Sequence, residues 1–327
     1  MIDFHVNDMK KWKVVVMIPA YNEEKTIGKV IKEIPREILN VSEVKVLVID
    51  DGSSDKTLEA ARKAGADYAL RNTKNSGLAF TFQRGLNSAL ELGADIIVNT
   101  DADFQYNQNE ISKLINLIID GKADIVSGNR QIEKLDHMQT NKKYGNLIGS
   151  KFVKICAGYD IIDASSGFRA YSKEAALKLF VTSPHTYTHE TLIQASYKNL
   201  KVLEVPVEFR KRHGSDSKLI KSVFSHIKKS LSTIMRTTLM YNSLKAFSYA
   251  GVFLILLGLA PMFRWVWLSY ISQDGGQHFQ SLLLGSILMM FGGLSILLGF
   301  ISDLIAINRR HLEDLLYRVK KSEIDSR

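Results

Sequence analysis

The chain has 327 residues, enough for about two domains; 46% are apolar, 24% are charged and only 5 are Pro, which excludes a disordered or low-complexity chain. Its one cysteine, Cys156, excludes an intramolecular disulfide and any multi-cysteine zinc or iron–sulfur centre. A net charge of +9 calls for an anionic partner, whether nucleic acid, a membrane surface or a phosphate-bearing substrate.

Residues 1–13 mix Asp3, His5, Asp8, Lys10 and Lys11 without an apolar run, so no leader peptide is expected and the first domain is expected to stay on the side where it is made. From Val14 onward, short Val- and Ile-rich runs at 14–18, 44–49, 68–70, 96–99 and 125–127 predict strands. Several lack polar alternation, as strands buried on both faces of a parallel sheet do. Between them, 24–34, 56–64, 79–92 and 110–120 carry apolar residues at helical spacing, with Asp55 and Asn109 where N-caps belong. Repeated β-α-β units predict an open α/β sheet that binds ligands at the carboxyl ends of its strands.

Near Glu208 the character changes. Residues 210–218 form a basic loop, and 221–241 read as a basic amphipathic helix, with Val223, Phe224, Ile227, Leu231, Ile234 and Met235 interleaved with Lys228, Lys229 and Arg236. Two apolar stretches follow, 246–263 without charge and 281–307 with Asp303 alone; each approaches the roughly 20 residues that a bilayer span requires. Cations are dense before the first and after the second, which by the positive-inside rule places both chain ends in the cytoplasm. Gly251 and Gly258, then Gly285, Gly292 and Gly299, recur every seven residues, a spacing that lets helices pack closely and that equally suits ordinary membrane-helix glycines. Residues 1–209 hold 27 cations and 27 anions, whereas 210–327 hold 16 against 7. The whole surplus therefore flanks the apolar stretches, which turns the expectation from nucleic acid to membrane.

Polar groups gather where the first, second and fourth predicted strands end. Pro19, Ala20, Tyr21, Asn22 and Glu23 follow the first; Asp50, Asp51, Gly52, Ser53, Ser54 and Asp55 the second; Asp101, Ala102, Asp103, Phe104 and Gln105 the fourth. Carboxylates two apart at a strand end reach one hard cation if the backbone bends there, and Gln105 offers a third oxygen. Alone, such a pair also describes an ordinary solvated strand end; the other two polar clusters favour a site. Neither G-x-G-x-x-G after the first strand nor G-x-x-x-x-G-K-[ST] is present, so dinucleotide and P-loop readings lose their main support.

With Gly128, Asn129 and Arg130, then Ser166, Gly167, Phe168 and Arg169, these clusters in this order resemble a family 2 glycosyltransferase, in particular the dolichol-phosphate mannosyltransferase and bacterial polyprenyl-phosphate glycosyltransferase branch. The resemblance covers roughly residues 12–218. It implies an α/β GT-A nucleotide-diphospho-sugar transferase fold with a mostly parallel sheet, followed by a C-terminal amphipathic helix and two transmembrane helices. The implied division is a catalytic domain over 1–209, a basic acceptor loop with an interfacial helix over 210–245, a two-helix hairpin over 246–307 and a basic cytoplasmic tail over 308–327.

The same resemblance assigns roles. Pro19, Tyr21, Glu23, Ile49 and Asp51 line the base and ribose pocket, while Asp50 supports its turn. Asp101, Ala102 and Asp103 meet the donor diphosphate, and Asp101, Asp103 and Gln105 hold Mg2+ or Mn2+. Arg130 faces the phosphates. The loop Arg210, Lys211, Arg212, His213, Gly214, Ser215, Asp216, Ser217, Lys218 is similar to the family's Arg-x-x-Gly-x-Ser-Lys loop, matching at Arg212, Ser217 and Lys218 with its glycine one residue early. Lys142 and Lys143, where relatives carry an arginine, together with Ser150, Arg212 and Ser217 are expected on the acceptor phosphate. Asp103, Arg130 and Arg212 are the expected catalytic residues, and Lys218 is expected on the donor.

Glu190 falls where related enzymes place an acid near the acceptor, and equally where a helix N-terminus takes one. His185 and His189 have metal-pair spacing without a third ligand, so they are expected as surface histidines. The implied reaction moves one sugar from a UDP-sugar or GDP-mannose to a polyprenyl or dolichyl phosphate, with inversion. Its partners are the nucleotide-sugar, the lipid acceptor, the membrane and a second copy of the chain through the transmembrane helices, with no nucleic acid. Two alternatives stay open: a processive polysaccharide synthase, for which Arg264-Trp265 follows Pro261 instead of the expected Gln, and a non-catalytic nucleotide-sugar-binding scaffold.

Overall fold

The computed structural model describes residues 11–135, 140–183, 186–211, 223–270 and 278–326. The chain forms two compact units, Met1–Met235 with Tyr317–Arg327, and Arg236–Leu316. In the first, β1 (Trp12–Ala20), α1 (Ile27–Glu33), β2 (Val41–Asp50), α2 (Thr57–Lys63), β3 (Tyr68–Arg71), α3 (Leu78–Glu91) and β4 (Ile96–Asn99) are followed by α4 (Ile111–Ile119), β5 (Ile125–Asn129), α5 (Thr140–Ala157), β6 (Arg169–Ser172), α6 (Lys173–Lys178), α7 (Thr188–Tyr197) and β7 (Val202–Pro206).

The strands make one sheet in the order β3-β2-β1-β4-β6-β5-β7, parallel except for β6, which runs against both β4 and β5. The carboxyl ends of β1, β2, β4, β5 and β7 and the start of β6 therefore share one sheet edge. β1 shows why its sequence lacks alternation. Val14, Val16 and Ile18 pack with Ile27, Val30, Ile31, Leu114 and Ile118 on one face, while Val15 and Met17 pack with Phe82, Leu86, Ala89 and Ala175 on the other. A third cluster joins Val153 and Ala157 of α5 to Leu192 and Ile193 of α7 and to Ile234.

The five strands expected from the sequence are present, and β6 and β7 add to them. β6 has only four residues and runs straight into a helix, and β7 is a half-exposed edge strand ending in Pro206, so neither carries a long apolar signal. The expected cap Asn109 is not one: Asn107 accepts its backbone N–H and caps a short 3-10 turn, Gln108–Glu110, ahead of α4. Asp55 does receive the Thr57 backbone N–H at the start of α2, from one position before the cap.

Residues 317–327, expected as part of a separate basic tail, belong to the sheet unit. Tyr317 and Ile324 pack against the α3 and α6 cluster; the Tyr317 hydroxyl donates to both Glu174 oxygens at 3.0 and 3.2 Å, Lys320 Nζ donates to Asn87 Oδ1 at 3.1 Å, and Lys173 pairs with Asp325 at 3.1 Å. Removing 317–327 uncovers this apolar strip. The thermal midpoint of the sheet unit is expected to fall by several degrees, measured by calorimetry on the detergent-solubilised chain; an unchanged midpoint would mean that the segment adds nothing to stability.

α8 (Val223–Tyr270) leaves helical geometry at Asn242 (φ −132°, ψ 36°), so the expected amphipathic and apolar parts meet at a kink. α9 (Phe279–Asp325) is the second long helix. Both are long and apolar enough to cross a membrane, and their most apolar windows are only 11% and 17% buried, unlike core helices of a soluble protein. Within the second unit the seven-residue glycine spacing is a contact between the two helices. A Cβ at Gly251 would lie 2.6 Å from Gly292 O, and one at Gly258 would lie 2.8 Å from Gly285 O, so only hydrogen fits where the backbones touch. Tyr241 donates to both Glu313 oxygens, and Arg309 pairs with the same carboxylate at 2.9 Å. Gly292→Leu is expected to split this hairpin and prevent recovery of folded protein from membranes, read by size-exclusion chromatography.

Candidate active site

The β1 and β2 strand ends are stitched into one wall. Asn22 N–H donates to Ser53 Oγ at 2.9 Å, Asn22 Oδ1 accepts Ser54 N–H at 2.8 Å, and Glu23 N–H donates to Thr57 Oγ1 at 2.8 Å. Pro19 is the penultimate residue of β1, Tyr21 is exposed beyond the strand, and the Glu23 carboxylate accepts from Thr26. Asp50 supports the turn as expected, accepting from both the backbone and the hydroxyl of Ser53. Asp51 is buried and accepts from Asn72 Nδ2 (2.7 Å), Ser76 N (2.8 Å) and Gly77 N (2.9 Å), so its carboxylate holds the 72–77 loop in place. The Ile49 side chain lies in the core against Gly85, so what Ile49 offers at this edge is backbone.

After β4, Asp101, the buried Ala102, Asp103 and Gln105 lie in one turn. Asp103 Oδ1 accepts the Gln105 backbone N–H at 3.2 Å, and between them Phe104 sits at φ +64°. A bulky residue with positive φ is costly and marks a backbone bent for a purpose. Gln105 Nε2 donates to the Arg210 carbonyl at 3.2 Å, which leaves its amide oxygen as the end offered to a cation. Among the described residues no three His, Cys, Asp or Glu side chains gather as a ready-made cage. Two carboxylates and an amide oxygen fit a hard divalent cation that completes its shell with substrate phosphates, such as Mg2+ or Mn2+.

Arg130 follows β5 and its side chain is nearly buried. Its Nε and Nη2 form a two-pronged pair with Asp163 at 2.7 and 2.8 Å, and its backbone N–H reaches the same carboxylate at 3.2 Å. Burial alone would raise the Asp163 pKa, but the Arg130 charge and hydrogen bonds outweigh it and hold the carboxyl below its ordinary value. Desolvation works against the Arg130 charge, and Asp163 more than compensates, so the guanidinium stays protonated. Glu204 holds the other side of Asp163, accepting the N–H groups of Asp163 (2.8 Å) and Ile162 (3.1 Å).

Tyr106 stands among these charges. Burial raises its pKa first; Arg130 opposes that, and Asp101 and Asp163 add to it. Tyr106 also pairs with Phe209 across a short antiparallel bridge, and Arg210 N–H donates to Gln105 O at 2.7 Å. The start of the basic segment is thus laced to the Asp101–Gln105 turn, with the Arg210 guanidinium over Phe104 and paired with Glu33 at 2.8 Å.

Arg212, Ser217, Lys218 and His185 lie outside the described residues. Lys142 is in α5, Lys143 Nζ donates to the Glu133 carbonyl at 3.4 Å, and Ser150 is buried with its Oγ accepting Ala164 N–H. Glu190 is buried at the start of α7 and accepts from Thr182, Ser183 and Gln194, so it anchors the 182–183 loop. His189, expected at the surface, is instead buried at the start of α7 with Nε2 3.2 Å from Ser165 Oγ. Sequence reasoning missed the parts of Tyr106, Asp163 and Glu204. Asp163, three residues before Ser166, had the only signal: a lone acid beside a motif. It also left Arg169 without a role. Fully buried, Arg169 donates to Ser127, Ala164, Thr188 and Thr191, and so locks β5, the 164–168 turn and α7 together.

Residues 15–180 match the profile of glycosyl transferase family 2. The UDP-N-acetylglucosamine–dolichyl-phosphate N-acetylglucosaminyltransferase of Methanococcus voltae is 32% identical over 217 residues, covering 60% of this chain and 84% of its own. The dolichol-phosphate mannosyltransferase of Pyrococcus furiosus is 31% identical over 226 residues, covering 66% and 62%. In fold, the chain is similar to glucosyl-3-phosphoglycerate synthase from Mycobacterium tuberculosis, crystallised with Mn2+, UDP-glucose and phosphoglyceric acid, at 20% identity and a TM-score of 0.55 over 69% of this chain and 80% of that one. The carboxylate turn, the buried Arg130–Asp163 pair and the single sheet edge that carries them thus belong to a GT-A fold, and the chain is a glycosyltransferase, a member of glycosyl transferase family 2.

Proposed function

We propose that the protein spans the membrane twice and moves one sugar from a nucleotide diphosphate donor, a UDP-sugar or GDP-mannose, to a polyprenyl or dolichyl phosphate, with inversion at the anomeric carbon. One observation carries this reading: the Asp101–Gln105 turn is hydrogen-bonded to Arg210, the first residue of the basic segment that leads into the apolar helices. The turn proposed to hold the donor diphosphate is thereby tied to the point where the basic segment begins. The names of the relatives support a lipid phosphate acceptor. The charge distribution supports both chain ends on the cytoplasmic side.

A lipid phosphate monoester has a second pKa of about 6, so at neutral pH it is already largely an oxyanion and requires no strong base to attack. The protein's work is positioning and charge compensation. Asp101, Asp103 and Gln105 would hold Mg2+ or Mn2+, which when bound supplies Lewis-acid stabilisation of the departing diphosphate. The Pro19–Glu23 and Asp50–Asp55 turns receive base and ribose. Arg130, oriented by Asp163, keeps Nη1 outside that ion pair and directs positive charge at the phosphates. Arg212 and Lys218, with Lys142, Lys143, Ser150 and Ser217, complete the phosphate contacts on the donor and acceptor sides.

The full chain in lipid nanodiscs, given UDP-glucose, UDP-N-acetylglucosamine or GDP-mannose with undecaprenyl or dolichyl phosphate, is expected to make a lipid carrying one sugar with one of these donors. A polymer product would mark a processive synthase, and no product with any pair a binding scaffold.

A further inference from the structure

Asn99 closes β4 and is fully buried. Its Nδ2 donates to the Gly167 carbonyl at 2.7 Å and to the Tyr187 hydroxyl oxygen at 2.9 Å. Because a carbonyl can only accept, the first bond fixes which way the amide faces, and the Tyr187 oxygen is then the receiver of the second. Its own proton is left to give. Among the described residues the buried Asn99 amide oxygen has no hydrogen-bond partner, which is destabilising and which an apolar residue would avoid. What an apolar residue would lose is the pair of donors.

Gly167 shows what those donors hold. A Cβ there would lie 2.9 Å from the Tyr187 oxygen, 2.9 Å from Asp101 Oδ1 and 3.2 Å from Asp101 Oδ2, so hydroxyl and carboxylate converge on the same bare Cα. The Gly167 peptide is pinned on both sides, its carbonyl by Asn99 and its N–H by the Tyr106 hydroxyl at 3.2 Å. The Tyr187 ring is clamped by Phe82, stacked at 3.9 Å and 9°. This is a rigid floor under one carboxylate.

We propose that Asn99 and Tyr187 are positioning residues for Asp101: Asn99 orients the Tyr187 hydroxyl, and that hydroxyl together with the bare Gly167 Cα sets where the Asp101 carboxylate stands. The inference rests on the reading of Asp101 as a ligand of the donor-bound cation. Partners one shell behind a metal ligand commonly change affinity by about 10–100-fold when removed.

Tyr187→Phe removes one oxygen and keeps the stacked ring. The test titrates the full chain with Mn2+ in the presence of UDP or GDP, reading free Mn2+ by electron paramagnetic resonance without turnover. Tyr187→Phe is expected to weaken Mn2+ binding about tenfold with a thermal midpoint within a few degrees of wild type. Asp101→Asn is expected to weaken it further, and adding Tyr187→Phe to that variant is expected to change nothing more, because the hydroxyl acts through the carboxylate. Unchanged binding in Tyr187→Phe beside a clear loss in Asp101→Asn would overturn the proposal and leave the reading of Asp101 standing. Full additivity in the double variant would overturn it as well. Wild-type binding in Asp101→Asn would remove the reading of Asp101 itself, and the proposal with it.

Discussion

Replacing Asp103 with Ala is expected to abolish sugar transfer, by about 10³-fold or more, while the chain still inserts into membranes and folds. Asp103 sits at the bend after β4, where one oxygen already accepts the Gln105 backbone N–H. Ala removes both that bond and the charge offered to the cation. Asn keeps an oxygen for the bond and removes only the charge, so Asp103→Asn separates the two. Loss of one preorganised group facing developing charge costs about 10²–10³-fold, and the cation is additionally less well held. The measurement is formation of radiolabelled lipid-linked sugar in nanodiscs at saturating Mn2+, with membrane insertion checked by carbonate extraction. Metal-dependent turnover in both variants at the wild-type rate would remove Asp103 from the site.

Asp163→Asn has the larger expected effect on stability. The Arg130–Asp163 pair is almost fully shielded, with side-chain exposures of 12% and 1%. Removing one member of a buried pair strands the other charge, at a cost of about 3–5 kcal/mol. For a unit of this size the thermal midpoint falls by about 10 °C. Transfer is expected to fall by about 10²-fold, because Arg130 loses the acceptor that aims it.

The pH dependence follows from the direction of the shift. The folded-state pKa of Asp163 lies below its ordinary 3.8, so its stabilisation is present above that value and is lost as pH falls through the folded value. Wild type is therefore expected to destabilise steeply below about pH 4. Asp163→Asn, already without the ion pair at neutral pH, is expected to show a shallower acid limb in thermal scans across pH 2.5–7. Equal slopes would show that the pair contributes nothing to acid stability.

The motifs at the ends of β1, β2, β4 and β5 were legible because each is contiguous and sits directly after a strand that its own apolar run announces. Asp101, Asp103 and Gln105 lie within one bent turn. The residues behind them were not legible. Tyr106 and Asp163 are 57 positions apart in the sequence yet both act on Arg130. Glu190 looked open between acceptor chemistry and a helix start, and the structure has it anchoring the 182–183 loop of the sheet unit. The glycine spacing, read as close packing of spans, resolves as contact between the two helices of one hairpin.

By itself the sequence determined the class of the fold, the edge of the sheet on which the candidate residues gather, the family resemblance and the location of the positive charge. Each of these depends on local composition or on residues that follow one another along a single strand end. Only the tertiary structure decided the antiparallel β6, the pairing of Arg130 with Asp163, the floor of Asn99, Gly167 and Tyr187 under Asp101, and the return of residues 317–327 to the sheet unit. Those arrangements are contacts between segments distant in the chain, made by packing and buried hydrogen bonds. No periodicity in the sequence records them, because each partner carries only half of the interaction.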